Sequence, residues 1–529
     1  MKFEPEKMTD AKEIEKVLYS ASPKVLEILL KDRTTGLNII WATDSYVDQS
    51  KEYHPESQIL FDQVKDKKNR IIVPRSLKKK EEQAARTKTK AEVFTPSWIV
   101  KKMIKEADKS TNTRSGNGYV TRPVIEITCG EAPFLVSRYD PETGKYIPTE
   151  ERYGLLDLKL KEAKKIAGNE NTWNRLAFSA LRSTYGYEFQ GDSLLLAREN
   201  ILFTFVEYVI EFWGHGPTLR QMKTAAEIIS WNIFQADGLT KSVPYKVVPL
   251  LEPEPLALFS FLEDSGTYEP YTPSVNSALG TEDIQYECRL TDWSKKNGKR
   301  QEYKFSNMRN NEGEIMKKFS VCIGNPPFQD ENELSTRKPP VYHKLMDSAM
   351  DLADVVELIT PARFLFNAGQ TPKEWNRERL NDEHFKVLEY YPDAETVFPT
   401  TDIKGGVAIT YRDKEKIIGP IGAFTAFSEL NGILARVIEK NEKTAFLDSI
   451  VSSQGIYHYS ENAFKADPNL ILLQGKGTGD KIISKSFSKA SAIFFDSKPN
   501  DDDEYIEMIG LSDKTRKYRY IKRKNIKEN

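Results

Sequence analysis

The chain has 529 residues, enough for two to four domains, and its content of 39% hydrophobic and 11% aromatic residues excludes a largely disordered protein. Its 77 Lys and Arg residues balance 78 Asp and Glu residues, so the net charge of −1 predicts no partner by itself. Three cysteines and five scattered histidines exclude a disulfide framework and disfavour a zinc site. We find no apolar signal segment and no run that could span a bilayer. We therefore expect a soluble cytoplasmic protein with no metal and no membrane partner.

Residues 1–85 combine helical periodicity with a basic run and predict a mainly helical region followed by a linker. The run from residue 65 to residue 90 holds eleven Lys or Arg residues against three acidic ones. Such a run is typical either of a solvated linker or of a contact with phosphates.

Between residues 86 and 418, short apolar segments alternate with helical patterns, which is typical of an α/β domain. The apolar segments are rich in Val and Ile and predict strands buried on both faces, as in a mainly parallel sheet covered by helices. The predicted strands are 124–127, 184–188, 233–236, 319–323, 355–359, 385–391 and 407–411. Helices are predicted from 99 onward and over 194–209 and 344–352.

This alternation is interrupted between about residues 240 and 318. Residues 251–281 are rich in Pro, Tyr and acidic residues, and Asn297-Gly298 between two alternating segments predicts a β-hairpin. We interpret the interruption as an insertion on the surface of the core. Residues 419–529 are less patterned and end in a basic run, 514–527, with eight Lys or Arg residues and no acidic residue.

The sharpest chemical feature is Asn325-Pro326-Pro327-Phe328, which follows a predicted buried strand. Proline fixes the backbone and cannot donate a hydrogen bond, so the carbonyl beside it can face outward as a rigid acceptor. The Asn325 side chain offers a second acceptor, and Phe328 offers a flat stacking surface. This set suits a planar exocyclic NH2 group such as that of adenine. The alternative is a structural turn capped by a core phenylalanine.

Three other predicted strands also end in residues suited to ligand binding. Strand 124–127 enters a small-residue turn, where a backbone can approach a ligand closely. Strand 184–188 ends in Glu188, a typical partner of a ribose diol, and strand 233–236 is followed by Asp237-Gly238, whose carboxylate can accept from an adenine amino group. Each acid alone is more typical of a helix cap or a solvated turn. In this order, however, the four loops fall at the carboxyl edge of one sheet, where open α/β sheets bind ligands.

With these residues in this order, residues 92–411 resemble the S-adenosylmethionine-dependent adenine-N6 DNA methyltransferases of restriction–modification systems, specifically the gamma class. The resemblance implies a Rossmann-like methyltransferase core at 86–418, with a mainly parallel seven-stranded sheet and helices on both faces. It implies an N-terminal helical region at 1–85 and a DNA target-recognition region at 419–529. The implied cofactor is S-adenosylmethionine, and the implied partners are double-stranded DNA with a flipped adenine and a cognate restriction endonuclease or recognition subunit.

The resemblance also assigns site residues. Asn325, Pro326, Pro327 and Phe328 match the Asn/Asp-Pro-Pro-Tyr/Phe catalytic motif, and Asn325 also belongs to the cofactor site. Phe398, within Glu395-Thr396-Val397-Phe398-Pro399, resembles the aromatic residue that stacks on the other face of the target base. The remaining cofactor-binding positions are Phe94, Thr95, Pro96, Glu126, Thr128, Cys129, Gly130, Glu131, Phe134, Glu188, Asp237 and Gly238.

Within this set the expected contacts differ. Phe94-Thr95-Pro96 resembles the motif that contacts the methionine moiety, and locally Thr95 and Pro96 also predict a helix start, with Thr95 as the cap. Glu188 is expected to hold the ribose, and Asp237 the adenine of the cofactor. The loop after the first strand reads Cys-Gly-Glu-Ala-Pro-Phe instead of the commoner Gly-x-Gly, and Glu131 adds a carboxylate to which no role is assigned.

The implied mechanism needs no nucleophilic side chain. The target adenine leaves the duplex stack and stacks on Phe328 and Phe398. Its amino hydrogens are accepted by the Asn325 side chain and the Pro326 carbonyl while its nitrogen attacks the methyl group, so positioning supplies most of the catalysis. Cys129 and Cys322 are then packing residues.

Three other functions remain open. A protein-glutamine methyltransferase shares the Asn-Pro-Pro-aromatic motif, because an amide NH2 poses the same chemical problem. A bifunctional restriction–modification enzyme needs a metal-dependent nuclease module, for which Glu162-Ala163-Lys164 is a weak candidate. A non-catalytic DNA-binding subunit would keep the fold without binding the cofactor.

Overall fold

The computed structural model describes most of the chain in two compact units, Met1–Ala426 and Phe427–Asn529. The described residues are 4–65, 71–78, 95–110, 113–244, 286–293, 300–316, 318–329, 339–399, 401, 403–427, 429, 430, 433, 436, 437, 457–473, 479–482, 487, 490, 492–512 and 515–528. Among the helices in these ranges, none combines the length and apolar character needed to cross a membrane.

The described part of the first unit contains nine strands. They are β1 (Val124–Ile127), β2 (Thr184–Glu188), β3 (Ile233–Gln235), β4 (Arg289–Asp292), β5 (Gln301–Lys304), β6 (Phe319–Gly324), β7 (Ala353–Pro361), β8 (Phe385–Tyr391) and β9 (Val407–Asp413). Seven of them form one sheet in the order β3-β2-β1-β6-β7-β9-β8. Within this sheet β9 is antiparallel to both of its neighbours, and the other adjacent pairs are parallel. The predicted α/β fold with a mainly parallel seven-stranded sheet is therefore confirmed.

All seven predicted core strands are present, with small differences at their ends. β3 stops at Gln235, one residue before the predicted end, and β7 extends beyond the predicted 355–359 in both directions. The longer β7 pairs with β9 along seven residues. Local apolarity predicts only the buried centre of a strand, whereas its length depends on the neighbouring strand that accepts its hydrogen bonds.

The sheet carries a hydrophobic core on each face. Along β6, Val321 and Ile323 belong to one cluster of buried side chains and Cys322 to the other, as the alternation of side chains along a strand requires. The helices of this unit are α1 (Ala11–Ala21), α2 (Pro23–Leu30), α3 (Phe61–Val64), α4 (Ser97–Ser110), α5 (Gly116–Val120), α6 (Leu155–Ile166), α7 (Glu170–Arg182), α8 (Gly191–Trp213), α9 (Leu219–Asn232), α10 (Tyr342–Leu352) and α11 (Lys373–Asn381).

The N-terminal residues pack against the same core as the sheet. Trp41 is fully buried there, and the backbone of Ile40 exchanges two hydrogen bonds of 2.9 Å with the side-chain amide of Gln235 on β3. Gly191, the first residue of α8, lies so close to this segment that a Cβ would meet the Ile40 carbonyl. The N-terminal segment thus covers the β3 side of the carboxyl edge.

The predicted hairpin is confirmed, since β4 pairs antiparallel with β5. Its Asn297-Gly298 turn and residues 251–281 lie outside the described residues. In the second unit the helices are α12 (Glu461–Ala466) and α13 (Leu470–Leu473), and the strands are β10 (Tyr457–Tyr459), β11 (Tyr505–Ser512), β12 (Thr515–Lys522) and β13 (Ile526–Glu528). β10 pairs with β13, and β11 pairs with β12, both antiparallel.

Candidate functional site

The candidate site lies at the carboxyl ends of β1, β2, β3 and β6, which are neighbours in the sheet. The chain order of the strands reverses between β1 and β6, and such a switch point is where open α/β sheets form a ligand crevice. The four loops predicted from the sequence to line one sheet edge therefore do so.

The Asn325-Pro326-Pro327-Phe328 segment leaves β6 directly beside the end of β1. Gly324 pairs with Ile127, and a Cβ on Gly324 would lie 2.7 Å from the Ile127 carbonyl oxygen. Only glycine permits this approach. The Thr128 hydroxyl lies 2.7 Å from the Ile127 carbonyl and 3.3 Å from the Asn325 backbone carbonyl, so its single proton faces both oxygens. Pro326 is buried, whereas Asn325, Pro327 and Phe328 are partly exposed.

The two predicted base-stacking residues contact each other. The centroids of the Phe328 and Phe398 rings are 6.2 Å apart, and the ring planes meet at 62°. Phe328 is half-buried against the hydrophobic core, and Phe398 is only 2% exposed within it. In this conformation the rings meet edge to face. The two ring planes are therefore not parallel, as they would be on either side of a stacked base.

The turn after β1 has an unusual backbone. Thr128, Gly130 and Ala132 have φ angles of +46°, +53° and +63°. Residues other than glycine rarely adopt the left-handed region, and such residues cluster at ligand-binding sites. The turn is held by the Cys129 amide, which donates to the Tyr187 carbonyl at 2.8 Å, and by the Ala132 amide, which donates to the Cys129 carbonyl at 2.7 Å.

The carboxylates of Glu126 and Glu188 accept hydrogen bonds from backbone amides of the loop after β1. Glu126 is buried, and its Oε2 accepts from the Leu135 amide at 3.0 Å. Burial raises the pKa of Glu126 well above its usual value, against the opposing effect of hydrogen bonds from the Phe134 and Leu135 amides. Glu188 accepts from the Gly130 amide at 2.8 Å and from the Gln190 amide at 3.0 Å. These two bonds fix the Glu188 carboxylate between the turn after β1 and the loop after β2.

The loop after β3 presents a carboxylate with one oxygen in use. Oδ1 of Asp237 accepts from the Leu239 amide at 2.8 Å and the Thr240 amide at 3.3 Å. Among the described residues, no donor lies on Oδ2. Gly238 packs against Tyr187 and Leu345, each 2.9 Å from the position of an ideal Cβ. The glycine therefore allows Asp237 to lie close to the end of β2.

Glu131 occupies an internal position. Its Oε1 accepts from the Arg75 amide at 2.8 Å, and its Oε2 accepts from the Tyr139 hydroxyl at 2.5 Å. The Asn200 amide donates to the Glu131 carbonyl at 3.1 Å and to the Tyr139 hydroxyl at 2.9 Å. The carboxylate to which the sequence assigned no role thus ties the N-terminal segment to the turn after β1. Phe134, from the same loop, is buried in the core.

The predicted N-terminal motif is described only in part, because Phe94 lies outside the described residues. Thr95 is buried, and the Pro96 carbonyl accepts from the Ile99 and Val100 amides, each at 3.0 Å. The helix therefore begins at Ser97 with Pro96 as its cap, and the prediction that Thr95 is the cap is wrong by one residue. Pro96 fits this place because a cap needs a free carbonyl and no amide.

The two cysteines near the site and the Glu162-Ala163-Lys164 segment have structural contacts. Cys129 and Cys322 are buried, and burial raises the pKa of both thiols. Glu162 accepts from the Gly116 amide at 2.8 Å, and the Lys164 ammonium lies 3.5 Å from the centre of the Trp213 ring. No group of three or more potential metal ligands occurs within the described ranges.

Only a few cations of the N-terminal basic run are described. Lys65 forms an ion pair with Asp62 at 2.5 Å. Lys78 is buried, with its ammonium 3.2 Å from the Tyr46 hydroxyl and 3.6 Å from Asp192. Lys78 therefore fits neither interpretation of the basic run, since it is neither solvated nor exposed to phosphates. Residues 66–70 and 79–90 lie outside the described part of the chain.

Sequence reasoning did not single out the residues that hold the site in shape. Gln235, Tyr139 and Asn200 are polar residues whose partners lie between 8 and 195 positions away in the chain. A polar residue inside the apolar run Ile233-Phe234-Gln235-Ala236 was the one available signal, because a buried amide needs partners. Tyr139 and Asn200 carry no such local signal.

Part of the chain matches a known family model. Residues 185–398 match the family model described as Eco57I restriction-modification methylase. Similar solved structures include a type I restriction-modification system methyltransferase subunit from Streptococcus thermophilus, with 12% identity and a TM-score of 0.27 over 67% of this chain and 54% of that one. Another is the ATP-dependent Type ISP restriction-modification enzyme LlaBIII bound to DNA, with 12% identity and a TM-score of 0.35 over 96% of this chain and 36% of that one.

This chain therefore spans between about a third and just over half of the length of these two structures. No curated protein matches the chain. The family match begins in β2, extends through Asn325 and ends at Phe398. Residues 185–398 are thus similar to an Eco57I restriction-modification methylase.

Proposed function

We propose that this protein transfers a methyl group from S-adenosylmethionine to the N6 amino group of adenine in double-stranded DNA, as the modification component of a restriction–modification system. The observation that carries the proposal is the position of Asn325-Pro326-Pro327-Phe328 at the β1–β6 switch point, in contact with Thr128 of the turn after β1. The methylase family match over residues 185–398 supports the same reaction class.

The residues at the carboxyl edge fit the proposed cofactor. The bonds from Gly130 and Gln190 hold Glu188 at the end of β2, where a carboxylate can accept from a ribose diol. Oδ2 of Asp237 has no donor among the described residues, which suits an adenine amino group. The left-handed turn from Thr128 to Ala132 brings backbone rather than side chains to the crevice. When bound, S-adenosylmethionine would supply a methyl group on a positively charged sulfonium, which the carboxylates of this edge complement electrostatically.

Not every residue matched by the family resemblance is proposed to contact the cofactor directly. The carboxylates of Glu126 and Glu131 accept hydrogen bonds from backbone amides and, in Glu131, from a tyrosine hydroxyl. Cys129 and Phe134 are buried. We assign these four residues to the shape of the turn, and Thr128, Gly130, Glu188, Asp237 and Gly238, with Asn325, to the cofactor surface.

The catalytic step then depends on geometry. A flipped adenine stacks on Phe328, and the Asn325 side-chain oxygen and the Pro326 carbonyl accept its two amino hydrogens. Holding both hydrogens keeps the nitrogen lone pair directed at the methyl group, and the proton is lost after transfer. The protein thus accelerates the transfer by orienting the two reacting groups and by placing hydrogen-bond acceptors where positive charge develops on the amino group.

The test measures transfer of labelled methyl groups to duplex DNA, followed by digestion to nucleosides. Wild type should label N6-methyladenine. Asn325→Ala should reduce the rate by about 100-fold or more, because one preorganised hydrogen-bond partner is lost. Asn325→Asp keeps an acceptor oxygen at the same place and serves as the matched control, with substantial activity retained.

Other outcomes identify the alternatives. Label in cytosine would contradict the assignment of the base. Label only in added protein substrates would favour a glutamine methyltransferase, and absence of cofactor binding would favour a non-catalytic subunit. DNA cleavage in the presence of magnesium would favour the bifunctional enzyme. If activity appears only after a separate recognition subunit is added, the proposal stands with that subunit as a required partner.

A further inference from the structure

We propose that the outer half of the β11–β12 hairpin in the second unit is the element that enters a groove of double-stranded DNA and reads its sequence. This inference rests on the proposed function and adds a readout element to it. It concerns the second unit by itself, residues 427–529.

The hairpin has two different faces. Its strands pair over eight residues, from Tyr505 with Lys522 to Ser512 with Thr515. On the inner face Ile521 is fully buried, Ile506 and Met508 pack against the core of the unit, and Gly510 lies against the Phe487 ring. The inner face is therefore fixed on a hydrophobic core, which holds the hairpin rigidly.

The outer face exposes apolar surface that the unit itself does not cover. Ile509 and Tyr518 lie opposite each other in the ladder and are 55% and 61% exposed. Cross-strand pairs of this kind ordinarily stabilise a sheet by packing under another layer. An exposed isoleucine and an exposed tyrosine on a rigid ribbon therefore indicate a contact surface.

Charge is distributed unevenly along the same hairpin. At its base, Lys522 pairs with Asp501 and Asp503 at 3.1 and 2.5 Å, and Arg519 pairs with Asp496 at 3.1 Å. Near its turn, Arg516 and Lys517 are exposed, and neither has an acidic partner among the described residues. The two cations of β12 without an acidic partner among the described residues, Arg516 and Lys517, therefore lie beside Ile509 and Tyr518.

The position of the two cations matches a polyanion with a groove. Alternation along β12 places Arg516 on the outer face with Tyr518, and Lys517 on the opposite face. A ribbon lying in a groove has a phosphate backbone along each of its edges, and the long, exposed side chains of Arg516 and Lys517 complement that charge. A two-stranded ribbon fits the major groove of B-DNA, which is about 12 Å wide. Glu507 is the single acidic residue of the two strands, and it accepts from the Tyr520 hydroxyl at 2.7 Å. It lies between the Ile509–Tyr518 pair and the open end of the hairpin, away from Arg516 and Lys517.

The first test compares binding of labelled random-sequence duplex DNA by wild type and two double variants of the full chain. In Arg516→Ala/Lys517→Ala, the slope of log affinity against log salt between about 50 and 200 mM should fall by about 1 to 2, because up to two phosphate contacts are lost. The matched control is Lys465→Ala/Lys498→Ala, which removes the same charge from exposed positions of the same unit outside the two strands of the hairpin. The control should keep the wild-type slope.

The second test separates reading of bases from attraction to phosphates. Duplexes retained by wild type from a random pool are sequenced, and a preferred motif should emerge. Ile509→Ser/Tyr518→Ser should lose preference at one or more positions of the motif, with a similar salt slope. Because both residues are exposed, the variants should unfold at the wild-type temperature, which is measured as a control for folding.

Wild-type slopes and motifs in the hairpin variants would overturn the inference. So would failure of wild type to bind any duplex, or a wild-type dimer that Tyr518→Ala dissociates, which would make the surface an interface between protein chains. The proposed methyl transfer is tested separately. Hairpin-dependent DNA binding without methyl transfer would contradict only the proposed function, and methyl transfer unaffected by the hairpin variants would contradict only this inference.

Discussion

The Phe328 ring meets the Phe398 ring edge to face, with the two centroids 6.2 Å apart. A base sandwiched between two rings needs both to be parallel to it. Binding of a flipped adenine between these residues therefore requires at least one ring to turn. Phe328 is the ring with freedom to do so, since it is half-buried and Phe398 is almost completely enclosed.

This difference in burial predicts different effects of two similar substitutions. Phe398→Ala should lower the free energy of unfolding by about 3–5 kcal/mol, because it leaves a cavity in the core. Phe328→Ala should cost only about 1 kcal/mol of stability but weaken the hold on the flipped base by about 1–3 kcal/mol. Urea unfolding and methyl-transfer kinetics measure the two effects. Equal losses of stability would contradict the proposed division of roles.

Gly324 is expected to be indispensable for the position of Asn325. In Gly324→Ala the new methyl group would lie 2.7 Å from the Ile127 carbonyl, so β1 and β6 must separate. We expect a loss of stability of about 1–3 kcal/mol and a lower rate of transfer, with Asn325 displaced. Gly168→Ala is the control, since no atom lies within 4 Å of its Cβ position, and it should be neutral or stabilising by up to about 1 kcal/mol. Thermal unfolding and single-turnover rates distinguish the two variants.

Asp237→Asn tests the proposed adenine subsite of the cofactor with almost no change in shape. The Asn oxygen can keep the bonds from the Leu239 and Thr240 amides, while its NH2 group replaces Oδ2. A donor would then face the adenine amino group, and cofactor affinity should fall about tenfold or more, a cost of about 1–3 kcal/mol. Isothermal titration with S-adenosylmethionine measures the change. Unchanged affinity would remove Asp237 from the site, and the exposed Asp502→Asn serves as the control.

Glu357 is expected to make stability depend on pH. Its side chain is fully buried in β7, and neither carboxyl oxygen has a hydrogen-bond partner among the described residues. Burial raises the pKa of Glu357 well above its usual value, and the nearby Glu106 adds to the shift. The folded protein therefore holds this proton more tightly than the unfolded chain does. Stability from this group is present below the unfolded pKa and is lost as pH rises towards the folded pKa.

Glu357→Gln removes this titration. We expect the stability of the variant relative to wild type to increase between about pH 5 and 8, as measured by urea unfolding at several pH values. The comparison with wild type cancels the other buried carboxyl groups, and Glu374→Gln, at an exposed position, should show no such trend. A constant difference between Glu357→Gln and wild type across this range would show that Glu357 titrates normally.

The sequence alone was sufficient to predict the core strands and the loops that lie at the carboxyl edge of the sheet. Most core strands are runs of apolar residues with β-branched side chains, and each candidate loop follows a predicted strand directly. Because the carboxyl ends of adjacent parallel strands meet at one edge, chain order was enough to bring Asn325, Glu188 and Asp237 together. The pairing of β4 with β5 was predictable from the two alternating segments that flank Asn297-Gly298 in the sequence.

Tertiary structure alone decided which of the matched residues face the crevice. Glu126, Glu131 and Glu188 were all matched to cofactor-binding positions. In the structure, however, Glu131 accepts from Arg75 and Tyr139, and Glu126 accepts from an amide of its own loop. The same holds for Lys78, whose burial beside Asp192 could not be inferred from a basic run. A pattern along the chain records the chemistry that a side chain offers. Whether that chemistry is available to a ligand depends on the hydrogen-bond partners that folding brings close to the side chain. A buried polar group must form such bonds within the protein, and it is then occupied.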